Sequence, residues 1–146
     1  MKVSFRVEGE KEAIKSIGFF SFRRASSRRR RKAFGRAAAS VLTDIQLRTQ
    51  KGRGLKGAFN GYTLSTLLQK IKKGQQTRPV NLSDTNLMLD NMKSNGRPRF
   101  GTVFFGSRGS TKKAFHTDQK RPWFGMKKEE VDKAMEVFSG SIFGRK

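Results

Sequence analysis

From Arg23 to Gly52 the chain reads RRASSRRRRKAFGRAAASVLTDIQLRTQKG, its densest positive charge joined directly to its clearest helical pattern. Phe34, Ala37, Ala38, Val41, Leu42 and Ile45 recur at the spacing of one helical face. That periodicity predicts a long helix with its apolar stripe turned to a core. Ser26 or Ser27 can cap the start. Gly52 can end the helix, because glycine enters the left-handed region without a Cβ clash. Arg28 to Lys32 fall in the first turns, where the helix dipole is already positive and each exposed cation costs about 0.3–1 kcal/mol. Their position points to a use other than helix stability; the plainer reading is a solubilising, frayed helix end.

A length of 146 residues predicts one domain, 1–146, with a modest core. The 33 lysines and arginines outnumber 11 acidic residues, for a net charge of +22. Such an excess repels itself on folding and calls for a polyanionic or acidic partner. The basic residues run through the whole chain, which favours a folded domain with a charged surface over a neutral domain with a basic arm. Cysteine is absent, so disulfides and thiolate metal sites are excluded. No apolar run approaches the ~20 residues that span a bilayer, and no membrane partner is expected. The start, MKVSFRVEGE, alternates and turns acidic, unlike a secretory leader. Thirteen phenylalanines against one tryptophan and one tyrosine suit cores and subunit interfaces, since phenylalanine has no polar atom to satisfy.

Along the chain, residues 2–8 alternate as a half-buried strand, and residues 10–17 suit a short helix closed by Gly18. Phe19, Phe20 and Phe22 lead into the long helix. KGRGLKGAFNGY reads as a basic flexible loop at about 50–62, of a length that is usually functional or disordered. Thr63 to Lys73 reads as a helix carrying Leu64, Leu67, Leu68 and Ile71 on its apolar side. A further helix is expected over DTNLMLDNMKS, capped by Ser83 or Asp84 and ended by Asn95-Gly96. RFGTVFFGS has the content of a strand. Residues 108–120 fit either a loop or one irregular helix. Pro122, Trp123 and Phe124 precede a last helix at 127–138, with Val131, Ala134, Met135 and Phe138 inward and Glu129 and Glu130 favourably placed in its first turn. Strands and helices interleave without βαβ spacing. The expected class is therefore α+β, a small, mainly antiparallel sheet packed with one long and several short helices.

Catalytic constellations are missing. The one histidine, His116, lies near Asp118 in FHTDQ, a pair that without a nucleophile reads as a structural hydrogen bond. Histidine metal pairs are excluded. The densest carboxylates, Glu129, Glu130 and Asp132, are explained by the dipole of the helix they start. The chain reads as non-enzymatic, with no catalytic residue, metal or cofactor.

The basic residues form three groups: Arg23, Arg24 and Arg28, Arg29, Arg30, Arg31 and Lys32; Lys51, Arg53 and Lys56 with Lys70, Lys72 and Lys73; and Arg108, Lys112, Lys113, Lys120 and Arg121. On a regular helix, Arg29, Lys32 and Arg36 oppose the apolar stripe while Arg30 and Arg31 turn to its flank. That distribution wraps the helix end, which suits phosphate or carboxylate contact and not base readout. DNA binding, if it occurs, should be sequence-blind and salt-dependent. The first two groups, through Lys56, are the candidate contacts to DNA or an acidic partner.

Several segments together resemble the bacteriophage virion morphogenesis and tail-completion proteins, a family that includes the Mu G-like, P2 S-like and neck proteins. They are VSFRVEGEKEAIKSIG, RRRRKAFGRAAASVLTDI, KGAFNGYTLS, VNLSDTNLMLDNM, His116 through Gln119, and RPWFGMKKEEVDKAMEVF. Where that family carries a histidine followed by an aromatic-glycine pair, this chain reads HTDQK. The resemblance implies a structural subunit of the virion, assembled in the host cytoplasm, which joins other copies in a ring at the head–tail junction. Its implied neighbours are connector and tail proteins, with non-specific contact to packaged DNA. A ring subunit needs apolar anchors, for which Phe59, Pro122, Trp123, Phe124 and Phe143 are candidates; a core role for Trp123 is the alternative. A small basic ribosomal protein or another non-specific nucleic-acid binder is the competing reading.

Overall fold

The computed structural model describes residues 2–5, 25–78, 87–120 and 122–144. The expected helix at 10–17, the phenylalanines at 19, 20 and 22, the caps at Ser83 and Asp84, and Arg23, Arg24 and Arg121 lie outside them. In chain order the elements are β1 (Lys2–Phe5), α1 (Ser27–Gln50), β2 (Arg53–Gly54), β3 (Gly57–Ala58), α2 (Leu64–Lys72), α3 (Leu87–Asp90), β4 (Met92–Gly96), β5 (Gly101–Phe105), α4 (Arg108–Lys120) and α5 (Lys128–Phe143). The class is α+β, with small antiparallel sheets, one long helix and several short ones.

Two compact units divide the chain. One contains Asp44–Met92 and Phe105–Met126; the other contains Lys2–Thr43, Lys93–Phe104 and Lys127–Lys146. Helix α1 contributes residues to both.

In the second of these units the sheet order is β1-β5-β4. β1 pairs antiparallel with β5, Val3 opposite Val103 and Phe5 opposite Gly101. β4 joins β5 through a short turn in which the Arg97 N–H donates to the Phe100 carbonyl at 2.8 Å, a link too short for a parallel crossover. As the central strand, β5 is buried on both faces at Gly101, Thr102 and Val103. Ala33, Phe34, Ala37, Ala38 and Val41 of α1 and Ala134, Phe138 and Ile142 of α5 are buried with it. The Phe34 and Phe138 rings meet at 4.6 Å between centroids.

Met92 to Gly96 is strand, where the residue pattern predicts the end of a helix. The Asn95-Gly96 pair closes the strand and does not cap a helix. The cause is non-local: a Cβ at Gly96 would collide with the Arg31 carbonyl and the Gly35 backbone, so only glycine lets this strand end lie against α1. Helix α5 runs past its expected end at Phe138 to Phe143, adding Ile142 to its buried side. Val131 is more exposed than its place in the stripe suggests. The Lys127 N–H donates to the Glu130 carboxylate at 2.8 Å, closing the first turn as in half of a capping box.

The other unit packs Ile45, Met88, Leu89, Met92, Phe105, Ala114, Trp123 and Phe124 into its core. Phe105 lies 6.1 Å from Trp123 and 5.2 Å from Phe124, centroid to centroid. α3 packs against α4. α4 is regular over 108–120, which settles the choice between loop and helix. Ser107 caps it, its Oγ accepting from the Ser110 N–H at 3.2 Å.

Candidate functional site

The basic end of α1 is built by its cap. Ser26 Oγ accepts the Arg29 N–H at 3.2 Å and the Ser26 carbonyl accepts the Arg30 N–H, so the helix starts among the arginines. With Ala33, Phe34, Ala37 and Ala38 turned inward, Arg28, Arg29, Arg31, Lys32 and Arg36 are exposed and Arg30 is half-buried. Arg31 thus stands with the outward set, not at the stripe's flank. The Arg36 guanidinium donates to Ser141 Oγ at 3.4 Å. No acidic residue occupies the first turn. This surface can meet phosphate or carboxylate oxygens.

A second basic surface belongs to the other unit. α1 ends as its sequence predicts, with Gly52 at φ 73°. The segment expected to be an open loop contains a small hairpin, Arg53 opposite Ala58 and Gly54 opposite Gly57. The Phe59 N–H donates to the Gly52 carbonyl and the Leu55 N–H to the Pro122 carbonyl, at 2.8 and 2.9 Å. Such short pairing leaves no alternation to read in the sequence. Lys51, Arg53 and Lys56 are exposed around it.

Helix α2 follows, capped by Thr63, whose side chain accepts the Thr66 N–H. Its burial reverses the expectation. Leu64, Leu68 and Ile71 are 71, 57 and 59% exposed, whereas Lys70 is only 6% exposed. Thr66 and Leu67 are half-buried on the Lys70 side. The Lys70 ammonium lies 5.1 Å from the Tyr62 ring centroid, within range of an attractive contact with the aromatic face. Lys70 therefore leaves the exposed basic group; Lys72 and Lys73 remain in it.

Trp123 and Phe124, candidate anchors for a neighbouring subunit, are core residues at 0 and 5% exposure. They offer no surface to a partner. Phe59 and Phe143 are half-buried and Pro122 is exposed. The turn that seats Trp123 is tied twice. Asp118 Oδ1 accepts the Trp123 and Phe124 N–H groups at 2.8 and 2.9 Å, and the Arg48 guanidinium donates to the Trp123 and Gly125 carbonyls at 2.7 and 3.1 Å. Asp118 thus serves the turn, while His116 is exposed on α4. Arg48 escapes sequence reasoning because a cation in a last helical turn is ordinarily read as a dipole partner in water. Among the described residues no three His, Cys, Asp or Glu side chains gather as a metal site requires. No described helix is long and apolar enough to cross a membrane.

No family model matches the chain, and no curated protein or solved structure matches it either.

Proposed function

We propose that this protein is a non-enzymatic structural subunit of a bacteriophage particle, a tail-completion or neck protein. In this reading it joins copies of itself in a ring at the head–tail junction, around the DNA path and beside connector and tail proteins. The sequence resemblance motivates the assignment. The observation that carries it is the outward ridge of Leu64, Leu68 and Ile71. A monomer acting alone gains nothing by holding leucines in water while burying a lysine, and apolar groups displayed in this way mark association surfaces. The exposed cations at Arg28, Arg29, Arg31, Lys32, Lys51, Arg53 and Lys56 suit sequence-blind contact with DNA phosphates or with an acidic neighbour.

The test is the native mass of the purified chain by light scattering, before and after nuclease. An oligomer that survives nuclease, and incorporation of the protein into phage particles, are the expected results. A 16.5 kDa monomer that binds structured RNA tightly at high salt would instead identify the ribosomal-type reading and end this one.

A further inference from the structure

Resting on the reading of a self-assembling subunit, we infer that the α2 ridge of one copy docks on the acidic outer face of α5 in the next copy. Leu64, Leu68 and Ile71 stand at i, i+4 and i+7, one continuous ridge on a helix capped at Thr63 and ended by Gly74 at φ 64°. The ridge is bordered by Lys72 and Lys73, both exposed. No acidic residue occurs between Asp44 and Asp84, so the sequence around the ridge supplies cations only.

That charge decides the occupant. Two ridges meeting face to face would gather four lysines, Lys72 and Lys73 from each copy, at a contact whose helices supply no carboxylate, and that excess of like charge opposes a two-fold contact. DNA has phosphates for the lysines but no apolar surface along its backbone for three aliphatic side chains. The complement is present within the chain. Among the described residues only Asp90, Glu129, Asp132 and Glu136 are exposed acidic side chains. Three of them, Glu129, Asp132 and Glu136, lie at i, i+3 and i+7 on the outer face of α5, opposite buried Ala134 and Phe138. Lys128 and Lys133 border that face, and exposed Val131 with half-buried Phe143 on the same helix supplies the apolar surface that the phosphate backbone lacks. A contact between two different surfaces is head-to-tail, and head-to-tail contacts give a ring when the rotation between copies closes and a filament when it does not. Both surfaces come from helices of nine or more residues, long enough to lie side by side by ordinary ridge packing.

The test uses two variants of the full chain after nuclease treatment. One is Leu64→Gln with Leu68→Gln and Ile71→Gln; the other is Asp132→Lys with Glu136→Lys. All five positions are exposed or at the rim, and circular dichroism with thermal unfolding checks that each variant folds. Each alone should be monomeric, its association weakened at least about tenfold. Mixed in equal amounts they should form a 1:1 dimer and nothing larger, because the intact ridge of one meets the intact α5 face of the other and no second good contact exists. If wild type and ridge variant form the same oligomer, the interface assignment fails and the ring reading survives. A monomeric wild type overturns both. A mixture that remains monomeric excludes the head-to-tail pairing. Ridge-dependent binding of nuclease-treated monomer to phosphatidylserine vesicles would replace the second copy with a lipid surface and overturn the inference.

Discussion

Helices α1 and α2 both carry aliphatic residues at helical spacing, and both carry cations, yet they turn opposite sides to the interior. In α1 Phe34, Ala37, Ala38, Val41 and Ile45 are buried, and Arg28, Arg29, Arg31 and Arg36 stand in water. In α2 Leu64, Leu68 and Ile71 stand in water and Lys70 is buried near Tyr62. Periodicity identifies which residues share a face; it does not decide which face a short helix presents. A 24-residue helix with a long stripe loses too much by exposing it. A nine-residue helix bound to its unit through one side loses less by turning three aliphatic side chains outward.

The comparison can be broken or sharpened by substitution. The largest effect is expected on the α1 side. Phe34→Ala removes a buried ring in contact with Phe138 and should destabilise by about 3–5 kcal/mol, measured by urea unfolding. Arg48→Met keeps volume but leaves the Trp123 and Gly125 carbonyls without their donor, and should cost about 2–3 kcal/mol in the same assay. A loss below about 0.5 kcal/mol there would mean that water replaces the guanidinium and the turn is not tied through it. Lys70→Ala removes the contact with Tyr62 and should cost about 1 kcal/mol, a small loss for a buried side chain but in the destabilising direction. Leu68→Gln should change monomer stability by no more than about 0.5 kcal/mol. If Leu68→Gln costs as much as Phe34→Ala, the two helices are alike and the outward ridge is an error.

Much of the fold was legible because it rests on local chemistry. Ser26 and Gly52 act at the ends of α1 as a side-chain oxygen and a glycine do in any chain. β1 and β5 carry the alternation or the β-rich content that strands require. What stayed hidden depends on distant partners. β4 looks like the tail of a helix because Met-Lys-Ser-Asn-Gly has weak strand preference, and it becomes a strand through β5 and through the room Gly96 leaves beside Gly35. The sequence cannot separate a core tryptophan from an interface tryptophan; Trp123 is core, fully buried on a turn whose N–H donates to Asp118 and whose carbonyl accepts from Arg48. The candidate cations of α1 and the β2–β3 hairpin were legible as exposed charge. The outward ridge was not, because Leu64, Leu68 and Ile71 carry the same pattern as a buried stripe.

The absence of cysteine in the chain allows the ridge to be examined one thiol at a time. The most direct measurement is the rate of maleimide labelling of Leu68→Cys, with Val41→Cys as the buried reference. In the Asp132→Lys/Glu136→Lys background, chosen to block assembly, the thiol at 68 should react as fast as in the unfolded chain while the thiol at 41 stays protected. In assembled wild-type background the thiol at 68 should become protected as well. A thiol at 68 protected already in the monomer, or equally reactive in the assembly, would contradict the account.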